Sequence, residues 1–225
     1  MSVATAGRSS RADWLLPAGL LALAFVPSLA GTVRLVELGR GAAVTPANAR
    51  FFAAPLPVVL HIVSVVVYSV LGAFQFSAGF RRRRPEWHRA AGRYLVAFGL
   101  AAALSGLWMT WVYPYAPPDG LLLWSIRQVV GWAMFLSIVM GLAAALRRDF
   151  TRHRAWMIRG YAIGLGAGTQ VLTHVTWLLL VGGRQDELDR ALVLGAGWAI
   201  NIVLAEWIIR RDGGRRSYRE APALA

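Results

Sequence analysis

Leu56-Pro57-Val58-Val59-Leu60-His61-Ile62-Val63-Ser64-Val65-Val66-Val67-Tyr68-Ser69-Val70-Leu71-Gly72-Ala73-Phe74-Gln75-Phe76-Ser77-Ala78-Gly79 contains no charged residue. A run of about 20 apolar residues crosses the hydrocarbon core of a bilayer as a helix, at a rise of about 1.5 Å per residue. Within this run His61, Ser64, Tyr68, Gly72 and Gln75 recur at spacings of three and four, which places them on one helical face. Lipid does not favour such a stripe, so the spacing predicts a helix packed inside a bundle.

Working outward, five further runs have the same character. The spans are read at 14–36, 56–79, 90–113, 121–146, 155–181 and 189–209. In lipid every backbone N–H and C=O must find a partner within the segment, so helices are expected. The fold class is all-α, a polytopic six-helix transmembrane bundle forming one integral membrane domain over 1–225. Connections are short except 37–54, and no broken helix is expected in spans two to five. The first run also resembles a signal peptide: Arg8 and Arg11, an apolar stretch, then Ser28-Leu29-Ala30 before Gly31. Pro17 and Pro27 are expected to kink it.

Composition agrees. The chain of 225 residues is 57% hydrophobic and 16% charged, where a soluble domain carries about 25% charged residues. That excludes a soluble enzyme, a disordered tail and a nucleic-acid-binding domain. The absence of Cys excludes disulfides, iron–sulfur clusters, thiolate zinc sites and Cys nucleophiles. No HExxH, GxSxG, phosphate-loop or dinucleotide motif stands in a plausible context, so no residue is assigned a catalytic role.

All 24 basic residues are Arg, and the net charge is +13. Arg8 and Arg11, Arg81 to Arg84 with Arg89, Arg147, Arg148, Arg152 and Arg154, and Arg210 to Arg219 fall on one side. The other side has Arg34, Arg40, Arg50, Arg184 and Arg190, partly offset by acids. The positive-inside rule puts both termini and the Arg-rich loops in the cytoplasm of a cell with this protein in its inner (plasma) membrane. The expected partners are the bilayer and anionic lipid headgroups at the Arg clusters, not nucleic acid.

The segment Arg81 to Tyr94 and the segment Arg147 to Tyr161 each hold an Arg cluster, then His-Arg-Ala, then Arg and Tyr. Spans two and three are therefore read as a helical hairpin duplicated in spans four and five. Inside the spans, Gln170 and His174 share a face, Arg127 and Gln128 lie near the outer end of span four, and Asn201 and Glu206 lie in span six. Asn201 and Gln75 are expected to make interhelical hydrogen bonds, and Glu206 to reach the nearer interface. Gly92, Gly99 and Gly106, and Gly160, Gly164 and Gly168, mark close helix packing or a flat cofactor against a glycine face.

The four histidines sort by depth. His61 and His174 lie at matched depth near the outer face, and His88 and His153 lie at the inner boundary, just before helices begin. Two imidazoles at equal depth on different helices suit axial ligation of haem b, with His61 and His174 as the candidate ligands of the haem iron. An inner haem would use His88 and His153, with Arg93 and Arg159 beside its propionates. The alternatives are a hydrogen-bonded core pair outside and headgroup contacts inside.

His88-Arg89-Ala90-Ala91-Gly92-Arg93-Tyr94 and His153-Arg154-Ala155-Trp156-Met157-Ile158-Arg159-Gly160-Tyr161, with His61 and Leu71-Gly72-Ala73-Phe74-Gln75-Phe76, resemble a bacterial membrane-protein family. It is catalogued as domain of unknown function twenty-three-oh-six, and the resemblance covers about 56–181. It implies an architecture and no activity. More weakly, the chain is similar to di-haem, ascorbate-reducible cytochrome b proteins, which have six helices and four haem-ligating histidines. It departs from them in having no His within the fourth span. The functional expectation is b-type haem or quinone-linked electron transfer through paired histidines. The alternatives are a small-molecule or lipid transporter, or an assembly or accessory subunit without chemistry of its own.

Reporter fusions test the topology. Fusions after Arg50 and after Gly183 are expected to report the exterior; a cytoplasmic signal at either position refutes it.

Overall fold

The computed structural model describes residues 12–220; Arg8 and Arg11, used in the topology reading, lie outside them. The described residues form helices α1 (Ala12–Arg40), α2 (Ala49–Ala53), α3 (Pro55–Gln75), α4 (Ala78–Arg83), α5 (Pro85–Val112), α6 (Leu121–Leu146), α7 (Phe150–Gly164), α8 (Gly166–Leu180) and α9 (Glu187–Glu220), with no strand among them. Helices α1, α3, α5, α6 and α9 are each long and apolar enough to cross a membrane. The bundle has an Arg-rich end, holding Arg81 to Arg84 and Arg147 to Arg152, and an opposite end holding the loops 41–48 and 113–120.

The fifth crossing in chain order differs from the expected unbroken helix over 155–181. Helices α7 and α8 qualify only as a pair, bent by 46° at Leu165. The cause is local: Gly164, Gly166 and Gly168 crowd the break, and each Gly costs a helix about 0.5–1 kcal/mol relative to Ala. Helix α1 is continuous through both Pro17 and Pro27.

Helices α5 and α7 also begin about one turn before the apolar runs. Pro85 opens α5, where its missing N–H costs nothing. The Asp149 side chain caps α7, accepting from the Arg152 N–H at 3.0 Å. His88 and His153 consequently sit inside first turns rather than ahead of them. Their amides donate to the carbonyls of Arg84 and Asp149, four residues back in both cases, so the two halves of the repeat match here in register.

Packing is governed by close approach. Helix α3 packs on α5, α6 on both α5 and α7, α8 on α9, and α1 on both α3 and α8. Gly99 and Gly106 of α5 are seven apart and meet Tyr68 and His61 of α3, also seven apart, running the other way. A Cβ on Gly99 would lie 2.6 Å from Tyr68 Cε2, and one on Gly106 would lie 3.2 Å from His61 Cε1. Gly164 of α7 takes the other edge of Tyr68, at 2.9 Å from Cε1. Gly99, Gly106 and Gly164 thus each hold a ring of a neighbouring helix, as close helix packing requires. Outside, the bundle is apolar: Leu146, Leu179 and Leu180 are 77%, 79% and 80% exposed. Inside, Ser64, Ala73 and Ser105 are almost wholly buried. A soluble protein does not present such a surface.

Gly99→Ala should destabilise the detergent-solubilised protein by about 1–3 kcal/mol, because the ring of Tyr68 must move. Gly92→Ala, which faces open space, should be neutral or add up to about 1 kcal/mol. Thermal unfolding of the two variants checks the pair, and equal effects would refute the ring-on-glycine account.

Candidate functional site

Where α7 stops at Gly164 and α8 restarts at Gly166, the intrahelical ladder is interrupted. Broken backbone at membrane depth persists only where protein groups replace the lost bonds. Asn201 of α9 does this. Its Nδ2 donates to the Ala162 carbonyl of α7 at 3.0 Å, and its Oδ1 accepts from Thr169 Oγ1 of α8 at 2.7 Å. One turn further, Gln170 Nε2 donates to the Leu194 carbonyl at 3.0 Å and Thr173 Oγ1 to the Val193 carbonyl at 2.8 Å. The expected interhelical role of Asn201 is what the structure has, and it falls across the break. Gln75 is different: its Nε2 is buried without a partner.

Against this break lies a cavity of about 370 Å³. Ile163, Gly164 and Ala167 line it at the break itself. His61, Met134 and Gln170 line its walls, and Arg50, Asp119 and Arg127 its mouth at the end opposite the Arg-rich one. Met134 stands thirteen residues along α6 from Leu121, so the cavity reaches about 20 Å into the bundle. Beyond it the path toward the Arg-rich end is filled by Tyr68, Ile138 and Tyr161, with 5%, 1% and 5% exposure. The Tyr161 hydroxyl donates to the Ser69 carbonyl at 2.7 Å, joining α7 to α3.

His61 is held in the wall by α5. Its Nδ1 lies 3.0 Å from the Ala102 carbonyl and 3.2 Å from Ser105 Oγ. A carbonyl only accepts, so Nδ1 donates and the neutral ring keeps Nε2 as its acceptor.

The mouth is built on one acid. Asp119 accepts from Arg127 at 2.8 Å and from Arg190 of α9 at 3.1 Å. Its side chain is 7% exposed, so the two guanidinium groups are what make burial of this carboxylate tolerable. Arg50 comes from α2. Its guanidinium lies over Phe51 at 4.7 Å, and Arg34 covers the same ring at 4.8 Å. Arg34 is paired with Glu37 at 2.6 Å. Arg50 has only a long bond to the Pro114 carbonyl, 3.5 Å, and its Nε is buried without a partner. Burial lowers the Arg50 pKa from its ordinary value; Asp119 opposes the shift, and Arg127 and Arg34 add to it. A guanidinium shifted this way is still a cation at neutral pH. Arg50 and Asp119 carried no motif in the sequence. The one signal was the long 37–54 connection, out of proportion in a chain of short loops.

The structure does not bring His61 and His174 together. Helices α3 and α8 are not packed neighbours; α1 packs on both, Gly31 against Ile62 and Leu23 against Gly168. His174 is half-buried on α8 and is not among the residues lining the cavity. The other pair sits in the first turns of α5 and α7, two helices in contact. His153 Nδ1 donates to the Gly141 carbonyl at 2.9 Å, and His88 Nδ1 is buried without a partner. Of the two arginines expected beside an inner cofactor, Arg93 is exposed. Arg159 is engaged by Glu206 through two bonds, 2.5 and 3.0 Å, and stacks on Trp156 at 4.7 Å. Glu206, expected to reach for the interface, is instead this ion pair's acid. No group of three or more His, Asp or Glu able to hold a metal ion occurs among the described residues.

Comparison with known proteins adds a family. The family described as predicted membrane protein (DUF2306) matches residues 58–209, and the chain belongs to it. No curated protein and no solved structure matches the chain.

Asn201→Leu removes both bonds across the break, each worth about 0.6 kcal/mol in a membrane bundle. Faster hydrogen exchange at 162–169, with little change elsewhere, is the expected result. Unchanged protection there would show that Asn201 does not hold the break.

Proposed function

From membership of a membrane-protein family, we propose that this protein is a carrier for a small molecule, which enters the cavity from outside the cell. The observation that supports the reading is the broken span on the cavity wall. Transporters place substrate sites near the bilayer midplane at discontinuous helices, because the interrupted backbone supplies polar groups and a hinge. Here α7 and α8 meet at Leu165, beside the cavity lining. The tyrosine and isoleucine plug toward the Arg-rich end makes this an outward-facing state in our reading. The positive-inside rule sets its orientation, with the Arg-rich end against anionic headgroups of the cytoplasmic leaflet of the plasma membrane.

The chain has no Cys, so single-Cys variants are clean probes. Thr110→Cys and Ala167→Cys, both on cavity-lining residues, should react with a membrane-impermeant thiol reagent added outside intact cells. Met134→Trp should protect Ala167→Cys by filling the depth of the cavity. Labelling only from the cytoplasmic side would refute the outward-facing reading.

A second reading has one observation in its favour. His88 and His153 sit in the first turns of two touching helices, His153 is fixed through Nδ1, and His88 has an orphaned buried nitrogen. These two residues would hold a haem b, which when bound supplies one-electron transfer. A Soret band in protein from haem-replete cells, lost in both His88→Ala and His153→Ala, is the expected result on this reading. Colourless protein with sub-stoichiometric iron ends it.

A further inference from the structure

The mouth and the depth of the cavity have opposite chemistry. Among the described residues, the charged ones on its lining are Arg50, Arg127 and Asp119. Asp119 is already shared by Arg127 and Arg190. Arg34 is spent on Glu37, and Glu187 lies behind Gly120 rather than on the lining. The mouth is therefore left with an excess cation. Arg50 is where that excess sits, with one 3.5 Å bond and a buried, unpartnered Nε. Deeper, the lining turns apolar at Val65, Leu107, Val130, Met134 and Ile163. A volume of about 370 Å³ is at the small end of ligand pockets, which run from about 300 to 1,000 Å³.

We propose that the ligand of this cavity is an amphiphile with one negative charge, its head held by Arg50 and Arg127 and its apolar body directed toward Met134. This rests on the carrier reading and names its substrate class. A carboxylate or phosphodiester oxygen placed between the guanidinium groups takes the free N–H donors of Arg50 and offsets the excess charge. Charge-assisted bonds of this kind are about twice as strong as neutral ones. The apolar body fills the volume that water would otherwise occupy against hydrophobic walls.

Trp124 and Trp198 line the same cavity, which gives a direct readout. The full-length protein, in nanodiscs of neutral phosphatidylcholine, is titrated with bromododecanoate, whose bromine quenches tryptophan fluorescence. Saturable quenching that falls in Trp198→Phe is expected. Unlabelled dodecanoate should displace the probe at least about tenfold better than dodecanol or dodecylamine, the size of one charge-assisted bond. Arg50→Gln should remove that preference, and so should Arg127→Gln, while Arg127→Lys, which keeps the charge beside Asp119, should retain it. Arg50→Gln breaks one long bond and one contact with the Phe51 ring, and an unchanged thermal unfolding of that variant keeps its result independent of a damaged fold. Competition by phosphatidylglycerol added to the nanodisc would identify the head as a lipid phosphate, and its failure a free acid; both support the proposal. Equal displacement by acid and alcohol, unchanged in the Arg variants, would overturn the anionic class and leave the carrier reading standing. Displacement by acetate or inorganic phosphate as well as by dodecanoate would overturn the apolar half. No saturable quenching, together with no external labelling of Thr110→Cys, would overturn both the proposal and the reading beneath it.

Discussion

A helix broken inside a bilayer must recover its backbone hydrogen bonds from protein, and here that demand falls on Asn201. An amide offers a donor and an acceptor on one short side chain. It therefore bonds the last turn of α7 and the first turn of α8 at once, through the Ala162 carbonyl and the Thr169 hydroxyl. Leu would satisfy neither group. The rest of the site follows from this clasp. With the break held against α9, α8 leaves the line of α7 at 46°, and the cavity lies against this bend, with Leu194 and Trp198 of α9 in its lining. Gln170 and Thr173 extend the clasp along α8, so the half-helix is anchored along one face and open on another.

The two ends of the cavity obey different electrostatics. Deep in the bundle no charge is present to repel or attract, and apolar walls with a few satisfied polar groups shape the space. At the mouth three arginines face one buried acid. Asp119 bonds two of them, and a carboxylate at 7% exposure is costly to bury without such partners. Arg50 is left to a ring face and a long carbonyl contact. The excess is a consequence of how the 37–54 loop folds over the mouth, fixed there by the Tyr113 hydroxyl bonding the Ala54 carbonyl at 2.6 Å.

What the sequence disclosed was whatever one helix determines by itself. The apolar runs gave the crossings, the spacing of His61, Ser64 and Tyr68 gave an inward face, and the glycine heptad gave close packing. Depth was also legible: residues counted from a helix end place His61 and His174 at similar levels. Angular order was not. Nothing in the spacing of α3 and α8 states that α1 packs against both, so equal depth was taken for adjacency. The break was hidden for a related reason. Gly164 and Gly168 read equally well as a packing face, and only Asn201, about thirty residues on, distinguishes a break from a groove. Arg50 and Asp119 meet across loops, where spacing has no periodic meaning at all.

The two similar segments that open α5 and α7 show how one motif comes to support two structures. Arg93-Tyr94 and Arg159-Gly160-Tyr161 follow matching first turns, yet Tyr94 is 64% exposed and Tyr161 is 5% exposed. Arg93 is exposed, while Arg159 is paired with Glu206. The difference lies in what α9 adds. Only the second hairpin packs against a further helix carrying Glu206 and Asn201, one acid for Arg159 and one amide for the freed carbonyl. The first hairpin has no such supplier, and α5 keeps its ladder through Gly99 and Gly106 by seating rings of α3 on them. The repeat therefore builds one rigid wall, α3 with α5, and one interrupted wall, α6 with α7 and α8. A cavity between a rigid wall and a broken one is the arrangement in which a bend at Leu165 changes the space without dismantling the bundle.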